Sequence, residues 1–174
     1  VHVVDNASEL KLMNEQYYHL YHNPNTGGSG GFTRGIHEVR NRMKIYSATN
    51  VIFMDDDVGF MNETFYRLYA LLTYMKHEYQ NEVIAGRMFR MDQREVQYTA
   101  VEIWNKGDIK HIGENLDMTK IDNLNNMNQR GGEYTGWWFG CFPMNFVMQN
   151  DPMPFFLHCD DVEYGLRLGT VPMA

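Results

Sequence analysis

The residues best suited to chemistry are carboxylates. Asp55-Asp56-Asp57 closes the apolar run Val51-Ile52-Phe53-Met54. Side chains alternate along extended backbone, so Asp55 and Asp57 are expected on one side and Asp56 on the other. Two carboxylates so placed share one hard cation, Mg²⁺ or Mn²⁺. The competing reading is a solvated acidic turn that caps the next helix. A second acidic pair, Asp160-Asp161, follows Phe155-Phe156-Leu157 and opens a helical pattern through Arg167. Such acids suit the helix dipole, with Arg167 pairing back to Glu163, and they equally suit a general base held at the edge of a cleft.

Two further clusters accompany the acids. The glycine run Gly27 to Gly31 contains Gly30 and Gly31 and leads to Arg34. It lets backbone approach a phosphate or sugar, or it is simply a flexible turn. It lacks both the Lys-Ser/Thr ending of a P-loop and the spacing of a dinucleotide fingerprint. Tyr134-Thr135-Gly136-Trp137-Trp138-Phe139 places two indoles side by side. In a strand they face opposite ways, one into the core and one into a cleft where it would stack on a sugar ring; alternatively both only pack. His19, His22, His77 and His111 show no ligand spacing and read as surface or satisfied core groups. The methionines read as core filling.

The elements that must position these groups alternate. Val1 to Val4 reads as a buried strand, and Asp5-Asn6-Ala7-Ser8 supplies a turn before a helical face of Leu10, Met13 and Tyr17. Tyr18 to Tyr21 is a second strand, the glycine run a loop, and Phe32 to Ala48 a helix. Val51 to Met54 has the continuous apolar character of a central parallel strand. Asn62 to Tyr79 is periodic through Phe65, Leu68, Tyr69, Leu72 and Met75, and leads to the strand Val83 to Gly86. This order predicts an α/β fold with a mostly parallel central sheet flanked by helices. In such sheets ligands bind beyond the carboxyl ends of the strands, where the acids fall. Past Met91 the chain predicts strands over 96–104 and 109–112 around the turn Asn105 to Asp108, then a long surface loop from Asn115 to Gly132.

Composition bounds the partners. The 174 residues suit one domain, and 44% hydrophobic content with 14% aromatics is enough for a sizeable core. The net charge of −7 argues against a nucleic-acid partner. Cys141 and Cys159 form no CxxC pair and no secretory pattern opens the chain, so a reduced, cytoplasmic setting is expected. No apolar stretch reaches the roughly 18 residues of a membrane span, leaving peripheral contact at most. The chain opens at Val1 without methionine and stops just after a helical pattern, so both ends are expected to be cut from something longer.

In order, Val3 to Ser8, Asn25 to Phe32, Phe53 to Val58, Gly136 to Phe139 and Asp160 to Arg167 resemble the family 2 glycosyltransferases over nearly the whole chain. The likeness is nearest to the bacterial galactofuranosyltransferases of galactan synthesis. What the resemblance implies is a GT-A, Rossmann-like catalytic core over residues 1–174, truncated at both ends. Its reaction would be inverting transfer of a sugar from a UDP- or dTDP-sugar to a glycan or lipid-linked acceptor hydroxyl at the inner face of a membrane. Asp55 and Asp57 would hold Mn²⁺ or Mg²⁺ against the pyrophosphate. Asp5 would lie near the base, with Gly30, Gly31, Arg34 and Asp56 near the donor. Asp161 would take the acceptor proton, Asp160 would position the sugar, and Trp137 and Trp138 would shape the acceptor side. It also implies a nucleotide-binding strand before Val1 and a histidine metal ligand beyond Ala174. Two alternatives remain at this level: a sugar-nucleotide pyrophosphorylase, whose glycine loop follows its first strand, and a non-catalytic carbohydrate- or Ca²⁺-binding module.

Overall fold

The structure is a computed structural model that describes residues 1–11, 16–125 and 131–169. Strand β1 (His2–Asp5) pairs in parallel with β2 (His19–His22), in a register that sets Asp5 against His22. Helix α1 (Gly27–Tyr46) packs on β1 and turns Ile36 fully into the core. Met13, part of the predicted helical face, lies outside the described residues, while Leu10 and Tyr17 on either side are not helical.

The glycine run is not a loop: it is the first turn of α1. Glycine costs helix stability, by up to about 1 kcal/mol per residue relative to alanine. Close packing explains its presence here. A Cβ on Gly27, whose φ is +77°, would lie 2.0 Å from the Phe156 carbonyl oxygen, so this corner accepts only a residue without a side chain.

Strand β3 (Asn50–Phe53) carries the first acidic cluster at its end. Its neighbour is β10 (Gly140–Pro143), which in turn pairs with β4 (Ile84–Ala85). Both pairings are antiparallel, which corrects the reading of β3 as a central parallel strand: β10 is central and wholly buried, and β3 is at the edge. An unbroken apolar run reports burial on both faces and says nothing of the direction of its neighbours. Among the described residues the sheets are small, and β1 with β2 is the parallel pair. The architecture is mixed α/β.

Helix α2 (Asn62–Tyr74) stops earlier than the periodicity suggests, because Met75 is extended and a 3-10 turn spans His77–Tyr79. Its Leu68 packs with Ile84, Phe139 and Cys141, while Tyr66, Tyr69 and Tyr74 remain exposed. Strands β5 (Met88–Phe89), β6 (Val96–Thr99) and β9 (Leu116–Asp117) form an antiparallel sheet. Strands β7 (Val101–Asn105) and β8 (Asp108–Ile112) form a hairpin around Lys106-Gly107, both at positive φ as a two-residue turn requires. The predicted loop from Asn115 contains β9 and the short helix α3 (Ile121–Asn125); residues 126–130 fall outside the description.

Helix α4 (Met144–Gln149) and helix α5 (Asp160–Leu168) are the last elements among the described residues. The main core joins Ile36, Phe53, Trp137, Phe142, Val147 and Tyr164, so α1, β3, β10, α4 and α5 share one apolar interior. Among the described residues no helix is long and apolar enough to cross a membrane.

Candidate active site

The carboxyl ends of β1 and β3 and the amino ends of α1 and α5 gather the acidic and glycine clusters. At the end of β1, Asp5 is buried and turned onto its own loop. It accepts backbone N–H groups from Ala7 and Ser8 on Oδ1 and from Leu10 on Oδ2, at 2.7–3.0 Å. The Leu10 amide, with those of Ala7 and Ser8, holds the carboxyl below its ordinary range, against the opposing effect of desolvation. Its role visible in the geometry is to shape the loop. Asn6, next in the chain, donates to the Gly27 carbonyl and accepts from Asn23, tying that loop to the start of α1.

The first turn of α1 has no acidic residue and no side-chain cap. Its backbone N–H groups therefore form a positive end facing the acids. Asp160 from α5 lies directly across: a Cβ on Gly28 would be 2.7 Å from its Oδ2. Gly30 and Gly31 serve packing, as a Cβ there would meet Thr26 at 1.9 Å and the Asn6 amide at 2.7 Å.

Asp55, Asp56 and Asp57 follow β3, all exposed, with Asp56 and Asp57 in a turn. The alternation predicted for extended backbone therefore does not apply beyond Asp55. Partial desolvation, then the charges of Asp57, Asp160 and Asp56, push the Asp55 carboxyl up to about 6. In the second acidic segment, Cys159 is left-handed at φ 63° and turns the chain into α5. Asp161 Oδ1 accepts the Val162 amide at 2.7 Å. Burial, opposed by that hydrogen bond and reinforced by Asp160, Glu102 and Asp55, pushes Asp161 up to about 6. The principal charged neighbours of both groups are other carboxylates, so the two clusters distant in sequence form one uncompensated acidic site.

Such a site favours a cation. Among the described residues no three His, Cys, Asp or Glu side chains already converge into a complete ligand cage. A Mg²⁺ or Mn²⁺ ion that bridges protein and pyrophosphate needs only one or two protein carboxylates, the other positions going to phosphate oxygens and water. The hard, all-oxygen donor set of Asp55 and Asp57 fits that demand.

Other predicted residues stand apart. Arg34 pairs with Glu38 at 2.9 Å and lies 5.4 Å from the Tyr21 ring centre, which directs it toward β2 rather than the acids. Trp137 and Trp138 occupy a turn before β10, not a strand, so their alternation fails. Trp137 is 3% exposed and packs against Phe32, Phe53 and Tyr164; its Nε1 has no partner. Trp138 folds over Gly136 and donates to the Gly86 carbonyl at 2.8 Å.

Sequence reasoning missed Glu102 and Tyr134. Glu102 is 3% exposed on β7, with Oε1 2.7 Å from His111 Nδ1 on β8. Its signal was available, as a glutamate inside the apolar strand Val101-Glu102-Ile103-Trp104 must find a partner. Tyr134 bridges to Glu102 through the backbone and packs its Cβ where a Gly165 side chain would stand.

No family model matches the chain. It is similar to the galactofuranosyltransferase GlfT2 of Mycobacterium tuberculosis, at 26% identity over 164 residues, covering 85% of this chain and 24% of that protein. It is also similar to GlfT2 of Mycolicibacterium smegmatis, at 24% identity over 164 residues, covering 86% of this chain and 24% of that protein. The chain is a distant relative of glycosyltransferases. It spans about a quarter of the length of these curated relatives.

Proposed function

We propose that this chain carries the catalytic core of an inverting, metal-dependent family 2 glycosyltransferase. It moves a sugar, galactofuranose in the first instance, from a nucleotide donor to a glycan or lipid-linked hydroxyl in cell-envelope polysaccharide synthesis. The carrying observation is that Asp160 stands against the glycine turn of α1 and that its charge bears on both Asp55 and Asp161. A donor pyrophosphate placed there lies between a helix amino end and carboxylates able to hold a cation. The GT-A reading rests on strand ends that collect these groups on one side of a mixed α/β core.

In this reading Asp55 and Asp57 hold the metal, and Asp56 borders the donor. When bound, Mn²⁺ or Mg²⁺ offsets the negative charge that grows on the departing nucleoside diphosphate. Asp161 accepts the proton of the acceptor hydroxyl as it attacks the anomeric carbon, and a pKa near 6 leaves it ionised at neutral pH. A single in-line displacement inverts that carbon. Asp160, beside Gly28, orients the sugar. Asp5 acts through the loop it holds at the nucleotide edge, whereas Arg34, paired with Glu38 beside Tyr21, is left without a role at the donor. Trp137 and Trp138 build the wall on the acceptor side.

Calorimetric titration of UDP with and without Mn²⁺ tests this reading, using wild-type protein and Asp55→Ala, Asp57→Ala and Asp161→Asn. Metal-dependent UDP binding is expected, weakened tenfold or more by either alanine change and kept by Asp161→Asn, by analogy with losses on removing groups that orient a metal site. Asp161→Asn should instead lose about 10²–10⁴ in transfer from UDP-galactofuranose, the usual contribution of a general base. Cation binding with no nucleotide affinity would replace the transferase with a cation-binding module.

A further inference from the structure

The end of β3 away from the acids opens onto a pocket of about 420 Å³, within the roughly 300–1,000 Å³ usual for small-molecule sites. The register of β3 with β10 fixes its place. Gly140 pairs with Phe53 at the acidic end, and Pro143 pairs with Asn50 at the pocket. The buried Pro143 and Met144, with the half-buried Leu72 and Met75, give the pocket an apolar floor. Thr49, Asn50, Gln80, Asn81 and Asn145 add hydroxyl and amide groups, and among the described residues no side chain that lines it is charged. Two of the amides are held in place. Asn145 donates through Nδ2 to Asn81 Oδ1 at 3.0 Å, and its own Oδ1 accepts the Phe146 N–H at 3.0 Å.

This lining selects by chemistry. A nucleotide or other anion finds no cationic side chain there, and burying an unpaired charge is costly. A hydrocarbon strips water from the amides without replacing its hydrogen bonds. A sugar ring meets both demands, with C–H faces for the floor and hydroxyls for the amides.

An aromatic strip joins the pocket to the candidate active site. Phe60 follows Asp57 closely and packs 5.7 Å from Phe65, and both rings meet Phe139 at the start of β10, at 5.3 and 6.1 Å. Phe65, Tyr69 and Leu72 stand at i, i+4 and i+7 and so share one face of α2, about 10 Å long. Phe60, Phe65 and Tyr69 are exposed, and Leu72 lines the pocket. Asn50 and Asp55 are separated by at most about 18 Å of extended chain, so one short glycan spans the pocket and the acids.

We propose that this pocket is a second sugar site, which holds a unit of the acceptor glycan remote from the hydroxyl that reacts; this rests on the transferase reading above. Phe65 and Tyr69 offer ring faces to the intervening sugars, and Gln80, Asn81 and Asn145 bind the remote one. The consequence is a preference for long acceptors over short ones, set by residues that touch neither the donor nor the base.

The test uses the full-length protein with a galactofuranosyl disaccharide and a hexasaccharide. Calorimetry of the hexasaccharide, without donor or metal, reads the pocket directly: Gln80→Trp, which fills its mouth, is expected to weaken binding about tenfold or more. Transfer from UDP-galactofuranose reads the consequence: wild type is expected to show the lower KM for the hexasaccharide, and Gln80→Trp to bring the two KM values within about twofold. Gln80 is exposed, so the change spares the core. Should that variant fail to fold, Tyr69→Ala carries the comparison, with hexasaccharide binding expected to weaken about threefold or more. Equal hexasaccharide affinity in wild type and variant overturns the proposal. So does wild-type protein that binds no hexasaccharide, the result expected if another segment of the protein or a second copy fills the pocket. Hexasaccharide binding that is lost in Gln80→Trp, in a protein that transfers no sugar to either acceptor, would remove the transferase reading and leave the pocket as a glycan-binding site.

Discussion

At the scale of single residues, the site is defined by carboxylates kept close to one another at a cost. Asp55 and Asp161 both rise from 3.8 to about 6, by desolvation first and by neighbouring carboxylates second. A folded-state pKa above the unfolded one means that the fold retains protons the unfolded chain releases. These two groups therefore favour folding most at low pH, and that contribution falls as pH rises from about 4 through about 6. Activity should run the other way, since an ionised Asp161 is needed: kcat is expected to drop as pH falls through about 6, and a flat profile from pH 5 to 8 would count against Asp161 as the base. The acids were legible in the chain because three consecutive aspartates after an apolar run are conspicuous. Glu102 was legible only as a glutamate in need of a partner, because that partner lies nine residues away across a hairpin and the helix that carries Asp161 arrives much later.

At the scale of elements, glycines set the distances. Gly165 lets α5 close onto Tyr134, and a methyl group there would overlap the Tyr134 Cβ. Gly165→Ala is expected to destabilise the fold by about 1–3 kcal/mol through overpacking, read as a lowered midpoint in urea with unchanged slope. Wild-type stability in this variant would mean that α5 is free to shift. The same logic explains the misread glycine run, since composition resembling a flexible loop marks a helix start pressed against Phe156, Asp160, Thr26 and Asn6. The hairpin β7 and β8, by contrast, was plain from alternation and its turn residues, because both signals are local.

For the whole molecule, one side chain links the helices behind the site. Arg40 on α1 donates through Nε to the Val147 carbonyl at 2.8 Å and through Nη2 to the Asn150 carbonyl at 3.0 Å, and Nη1 pairs with Asp151 at 2.7 Å. It thereby joins α1 to α4 and to the segment leading into α5. Arg40→Ala should cost about 1–3 kcal/mol by leaving buried carbonyls unsatisfied, or roughly 2–9 °C in Tm for a chain of this size; an unchanged Tm would show that water replaces it. The chain by itself determined much of the local part: the strongly periodic helices and the β7–β8 hairpin, where acids end a strand or open a helix, and that the two acidic clusters exist. These follow from periodicity and turn chemistry within a few residues. Tertiary structure alone decided that β10 enters antiparallel between β3 and β4, that Trp137 belongs to the core, and that Asp55, Asp161 and Glu102 share one electrostatic site. Strand direction and charge coupling depend on which distant segments become neighbours, and a linear pattern of burial carries no record of that choice.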